Sequence, residues 1–223
     1  MFQFFVDRKY DRARMWSNRV LRQIAPIFSG EIANVSGWED RDKEGGYYQD
    51  YFSGRSDYYL TNYPGSCGFG GSPGEIELDL SKDLPERLVR RFDVVFNHTT
   101  FEHIFEVRKA FANFCAMTRD VAIVIVPFSQ VQHESESWGD YWRFTPTCLR
   151  ELFSENDLEV VFEAESRDRN GAIYLLFVGS RTPERYGHLL PGFRKIDIAG
   201  AWIGASFVVS VFQFLRNKIT GML

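Results

Sequence analysis

Two short stretches of this chain gather residue types that carry proton chemistry. The first is His98-Thr99-Thr100-Phe101-Glu102-His103. The second lies within Phe128 to Thr147 (FSQVQHESESWGDYWRFTPT) and holds His133, Glu134, Asp140, Tyr141 and Arg143. Imidazole titrates near neutral pH, so His133, with Asp140 as an orienting carboxylate, has the composition of a general base. Arg143 carries a planar fork suited to clamping a carboxylate or phosphate, with Tyr141 beside it as a second contact for a bound molecule. The bland alternatives are an exposed loop histidine and an arginine that stacks on Trp142 or Phe144. The spacing His-x-x-x-Glu-His in the first stretch is one residue longer than the inverted zinc-protease motif, and His98 falls at a strand end, so no metal site is expected. His103 is expected to cap or pack at the start of the helix that follows.

The elements that position these residues are legible in the apolar pattern. Phe92 to Phe96 is a strand and Val121 to Val126 another, stopped by Pro127. Both are apolar throughout, as strands buried on two faces are. Between them Phe101, Ile104, Phe105, Ala110, Phe111 and Phe114 recur at steps that predict a helix of about four turns. Strand, helix and strand make one right-handed βαβ unit, and in such sheets ligands sit beyond the carboxyl ends of the strands. Asn97 to His103 falls there. Upstream, Glu31 to Ser36, Tyr58 to Tyr63 and Glu75 to Leu80 read as strands, with a Gly/Pro-rich loop at Pro64 to Gly74. Downstream, Thr145-Pro146 is a helix start with Leu149, Leu152 and Phe153 inward. Leu158 to Ala164 and Ala172 to Gly179 form a closing antiparallel hairpin. A chain of 223 residues suits one such α/β core.

Composition narrows the partners. The net charge of −4, with no basic stripe, gives no support for nucleic-acid binding. Cys67, Cys115 and Cys148 are far apart and form no CxxC, so a reducing cytosol is expected rather than a disulfide or metal framework. Residues 7 to 24 read as an amphipathic helix, with Tyr10, Ala13, Trp16, Val20 and Ile24 on one face and arginines on the rest. Packing on the domain edge is preferred over a membrane surface, because Asp7 and Asp11 dilute the positive charge.

From Gly30 to Arg181 the element order and three local sequences resemble the class I S-adenosylmethionine-dependent methyltransferases. Phe92-Asp-Val-Val followed by Glu102-His103 is similar to their strand-four pattern. Glu77-Leu78-Asp79-Leu80 resembles the motif whose acid faces the adenine. Asp140-Tyr-Trp-Arg-Phe-Thr-Pro146 resembles a loop found in a bacterial branch associated with surface-glycan synthesis. The resemblance implies a Rossmann-like, seven-stranded, mostly parallel sheet with an antiparallel last strand. It implies S-adenosyl-L-methionine in contact with Asn34, Ser36, Gly37, Asn62, Asp79, Leu80, Asn97 and His98. It implies methyl transfer to a hydroxyl of a sugar, glycan or other small acceptor, a reaction for which His133 is the candidate base among the loop residues. The first motif departs from the family: Asn34 stands at its acidic position, Ser36, Trp38 and Asp40 at its glycines, and Asn62 at the ribose-binding acid. Side chains there hinder close approach of the backbone, and Trp38 is placed to fill the cofactor's space. The rival function is therefore a methyltransferase fold kept as a binding or assembly module.

The sequence divides into an N-terminal helical segment (1–29), the methyltransferase-like domain (30–181) and a C-terminal tail (182–223). In the tail, Ala199 to Leu215 carries no charge for 17 residues and contains a Gly200/Gly204 pair. As a helix it would be ~25 Å long, at the bottom of the membrane-spanning range. An in-plane membrane helix, a dimer-forming helix and a core helix all satisfy this pattern. Lipid or partner contact is the expectation, because the domain already supplies its own helices, and this places the protein in the cytoplasm, peripheral to the inner membrane face.

Overall fold

A computed structural model describes residues 11–65, 68–166, 172–187, 189–190 and 195–196. Helix α1 (Asp11–Ile24) leads into β1 (Ser29–Val35). Strands β2 (Gly54–Asn62), β3 (Glu75–Glu77) and β4 (Phe92–His98) follow, then α2 (Val107–Ala116), β5 (Thr118–Ser129), α3 (Pro146–Ser154), β6 (Glu159–Glu165) and β7 (Ile173–Ser180). The seven strands form one sheet in the order β3-β2-β1-β4-β5-β7-β6. All neighbours are parallel except β7, which runs antiparallel to both β5 and β6. The closing hairpin is as the sequence implies.

Both faces of the sheet are covered, which explains the unbroken apolar runs. In β5, Ala122, Val124 and Val126 pack with α2 and α3, while Val121, Ile123 and Ile125 pack on the face carrying α1, Tyr48, Tyr51 and Phe52. On α1, Ala13, Leu21 and Ile24 are buried and Trp16 and Val20 only half-buried. The inward face is thus turned slightly from the expected one, because polar Ser17 and Asn18 are also buried and bonded. Ser17 Oγ lies 2.9 Å from His98 Nε2, and Asn18 donates to the Asp42 carbonyl and to Glu44. Tyr10 lies outside the described residues, as do Cys67, His188 and the apolar segment 199–215. Among the described residues no helix is long and apolar enough to cross a membrane.

Three local expectations are corrected. The helix expected from Phe101 is a 3-10 turn (Phe101–His103), and α2 begins only at Val107. The Glu102 carbonyl, which would bond the next helical turn, instead accepts from the Tyr141 and Trp142 N–H groups at 2.8 and 3.2 Å. Phe105 is consequently exposed. Pro127 does not stop β5 but pairs with Tyr174 inside it. The β4 ladder has already ended at Ile125, so the missing N–H faces no parallel strand, and the Pro127 carbonyl accepts from Phe144 N–H. Finally, β3 ends at Glu77 rather than Leu80, because its neighbour β2 ends at Asn62. The helix start at Thr145-Pro146 is as expected: Thr145 Oγ1 accepts from Cys148 N–H at 3.1 Å, with Leu149, Leu152 and Phe153 buried.

Candidate active site

The chain turns outward in opposite directions from β1 and β4, which lie side by side. A cleft of about 700 Å³ opens beyond their carboxyl ends, at the switch point where such sheets take ligands. Ser36 and Trp38 follow β1, Asn62 ends β2 and Tyr63 follows it, Leu78 to Ser81 follow β3, and Thr99, Thr100 and His103 follow β4. Ser137, Trp138, Gly139 and Tyr141 of the long loop close the far side.

The turn after β1 keeps a glycine-loop backbone without the glycines. Ser36, Trp38 and Asp40 have φ of 57°, 47° and 61°, the left-handed region in which side chains are strained. Gly37 is required for a different reason: a Cβ there would meet the Asn34 amide at 2.5 Å. The strain is offset by a dense set of bonds. Ser36 and Gly37 N–H groups donate to Thr61, and Trp38 N–H donates to Asn62 Oδ1 at 2.6 Å. Asn62 Nδ2 donates to the Trp38 carbonyl and to Glu75. Asn34 Nδ2, Tyr58 hydroxyl and Gln49 N–H all donate to Asp40, which is buried. Burial raises the Asp40 carboxyl above its usual range despite those donors. Asp40 thus braces the turn through Asn34 and does not line the cleft. Trp38, expected to fill the cleft, stands in its wall with 54% of its surface exposed.

Asp79 and Leu80 line the cleft. One oxygen of Asp79 accepts from Ser81 N–H and hydroxyl, at 2.9 and 2.7 Å, and no described residue occupies the other. Asn34, Gly37, Asn97 and His98 do not line it. Asn97 is fully buried and donates to the Val35 carbonyl at 2.7 Å. His98 points to the α1 face, against Ser17, Tyr48 and Tyr174, and its desolvation holds it neutral, well below the usual histidine range.

The long loop does cover the cleft, but with different residues from those expected. His133, Asp140 and Arg143 come together one layer behind the wall. Arg143 clamps Asp140 with bonds of 2.6 and 2.7 Å, and the His133 N–H donates to Asp140 at 2.9 Å. Burial alone would raise Asp140, but these bonds outweigh it and hold the carboxylate below its usual range. The ring of His133 packs edge-on against His103, with centroids 4.9 Å apart, and both rest on Trp138. Of the two, His103 lines the cleft. Its Nδ1–H donates to the Gly139 carbonyl at 2.7 Å, leaving Nε2 to accept a proton. Its burial holds the ring neutral, below the usual histidine range. Nε2 lies 3.8 Å from Glu102 Oε1. Glu102 is wholly buried with neither carboxyl oxygen hydrogen-bonded, and that desolvation pushes it up to about 8. The Glu-His pair was visible in the sequence. Its position across from Gly139 was not, because it depends on the loop docking on the Glu102 carbonyl.

No protein-family model and no curated protein sequence matches the chain. Solved structures do. A 1,6-didemethyltoxoflavin-N1-methyltransferase of Burkholderia thailandensis, with bound 1,6-didemethyltoxoflavin and S-adenosylhomocysteine, superposes with a TM-score of 0.56 at 17% identity, over 78% of this chain and 80% of that one. The YcgJ protein of Bacillus subtilis does so with a TM-score of 0.54 at 10% identity, over 74% and 98%. The CurJ carbon methyltransferase gives 0.54 at 11% identity, over 80% and 57%. The chain has the class I S-adenosylmethionine-dependent methyltransferase fold. The adenosyl end of that cofactor fits the cleft at Leu78 to Ser81, where Asp79 offers an open acceptor between two buried leucines. The ribose end has fewer acceptors than an acid at position 62 would give, since Asn62 is taken up by the turn.

Proposed function

We propose that this protein transfers a methyl group from S-adenosylmethionine to a hydroxyl of a sugar, glycan or other small acceptor. The observation that carries the proposal is a single cleft with Asp79 at one end and a neutral, oriented histidine, His103, at the other. When bound, the cofactor supplies a methyl on a positively charged sulfur, which becomes a neutral thioether once the acceptor oxygen has taken that methyl. Asp79 accepts hydrogen bonds from the adenosyl group, Leu78 and Leu80 pack on it, and Ser36 and Trp38 bound its other end. An alcohol is a poor nucleophile at neutral pH and needs a base. His103 Nε2 takes the hydroxyl proton, and the Gly139 carbonyl, which accepts from Nδ1–H, steadies the imidazolium that forms. His133 and Asp140 hold the His103 ring from behind, and Tyr141 contacts the acceptor. The apolar tail 199–215 keeps the enzyme at the cytoplasmic face of a membrane or in contact with a second copy.

The second reading, a binding or assembly module, is favoured by Asn62 and the Ser36 to Trp38 N–H groups being bonded within the protein. Calorimetric titration with S-adenosylmethionine decides between them. Binding by the wild type, weakened by about 1–3 kcal/mol in Asp79→Ala, is expected from loss of one acceptor. No heat at millimolar cofactor leaves only the module.

A further inference from the structure

We infer that the acceptor is an uncharged, hydroxylated ring carrying neither phosphate nor carboxylate, and that it lies on the aromatic rim formed by Phe105 and Tyr141. The inference rests on the methyl-transfer reading and supplies its substrate class. Phe105 and Tyr141 both line the cleft on the His103 side, yet they are 64% and 51% exposed. Their rings meet edge to face with centroids 5.4 Å apart, and Trp142 extends the surface at 6.3 Å from Phe105. Clustered aromatic exposure at a cleft mouth marks a contact surface. This one is held rigid. The Tyr141 and Trp142 N–H groups are bonded to the Glu102 carbonyl, and the Trp142 indole N–H donates to the Ile104 carbonyl at 3.0 Å. The platform and His103 are therefore fixed to the same turn and line the same cleft, so a ring bound on the aromatics lies on the side of the base.

Charge selects among the rings that could stack there. Among the described residues lining the cleft there is no lysine or arginine, while Asp79 and Glu106 contribute carboxylates. Of the described cations nearby, Arg143 is held by both oxygens of Asp140, and Arg14 lies behind Thr99, donating to its Oγ1 at 3.0 Å rather than lining the cleft. A phosphate or carboxylate at the acceptor end would meet the Glu106 carboxylate and, among the described residues lining the cleft, no lysine or arginine. A neutral ring meets aromatic faces for its C–H bonds, and Thr100, Glu106 and Ser137 for its hydroxyls.

The test uses the full-length protein with S-adenosylmethionine and three probe sets: neutral methyl hexosides, the same hexoses as phosphates or uronic acids, and simple phenols. Binding is read by ligand-observed NMR and methylation by mass. Neutral hexosides or phenols should bind, the two sets separating a sugar from an aromatic ring, and the anionic sugars should bind at least tenfold more weakly. Phe105→Ala and Tyr141→Ala should each lose at least tenfold in acceptor binding while cofactor titration is unchanged. Because both side chains are exposed, these variants should keep the wild-type circular dichroism. Tighter binding of the anionic sugars, binding indifferent to both substitutions, or no binding in any set would overturn the inference. Failure of the cofactor titration itself would instead count against methyl transfer.

Discussion

At the scale of single residues, Glu102 is costly to bury in its charged form. A carboxyl without a hydrogen-bond partner, enclosed by protein, prefers its neutral form. The groups whose charges reach it are Arg14 from α1, and Asp140 and Arg143 from the long loop, with His103 next in the chain. Its proton is bound more tightly folded than unfolded. Stability from this group is therefore fully present below the unfolded value near 4.5 and is lost as pH rises toward about 8. The loss across that window is about 5 kcal/mol at most. His103 and His133, both lowered by burial, act in the opposite sense and weaken the fold as pH falls below about 6.5. Glu102→Gln keeps the shape without the proton. Urea unfolding at pH 6 and pH 9 should show a large fall in the wild type and a much smaller one in the variant. Equal falls would mean that Glu102 does not titrate in this window.

At the scale of elements, the turn after β1 holds three side chains in backbone conformations that favour glycine. Three left-handed non-glycine residues cost of order 1 kcal/mol each. Ser36 contributes little beyond its backbone bond, so Ser36→Gly should relieve strain and stabilise by about 0.5–1 kcal/mol. Asp40 occupies an equivalent backbone position, but its carboxylate accepts from Asn34, Tyr58 and Gln49. Asp40→Gly should therefore destabilise by about 2–3 kcal/mol, because buried donors lose their acceptor. Chemical denaturation of the two variants checks the opposite signs. If both stabilise, strain outweighs the bonding network. The same comparison explains the motif's legibility: the substitutions at 36, 38 and 40 could be read from the chain, but their φ angles and the engagement of Asn62 could not.

At the scale of the whole molecule, the uncharged length of segment 199–215 predicts contact with lipid or a second copy. One face of a helix of that length would remove about 600–800 Å² from water, worth ~15–20 kcal/mol before ordering costs. The described chain marks where a truncation must be placed. Ile196 is buried and bonded through its backbone to Glu163 and Arg150, so it belongs to the domain. A chain ending after Ile196 should fold with unchanged cofactor titration but lose vesicle partitioning or self-association, measured by flotation and light scattering. If the truncated chain unfolds, the segment belongs to the core.

What the sequence determined by itself was set by local and periodic physics. The apolar run Val121 to Val126 could only be a strand covered on both faces. Thr145-Pro146 started a helix because the threonine hydroxyl caps an amide three residues on. The antiparallel close of the sheet and the position of the cleft followed from the element order and the resemblance it carried. The tertiary structure alone decided which histidine lines the cleft. His103 and His133 are thirty residues apart, and sequence favoured the one with more acids beside it. Folding gave Asp140 to Arg143 and set His133 behind the wall. It also docked Tyr141 and Trp142 on the Glu102 carbonyl, which broke the helix there and brought His103, Phe105 and Tyr141 to one cleft. Local patterns cannot encode that step, because it depends on which distant N–H groups reach a carbonyl first satisfied only in the folded chain.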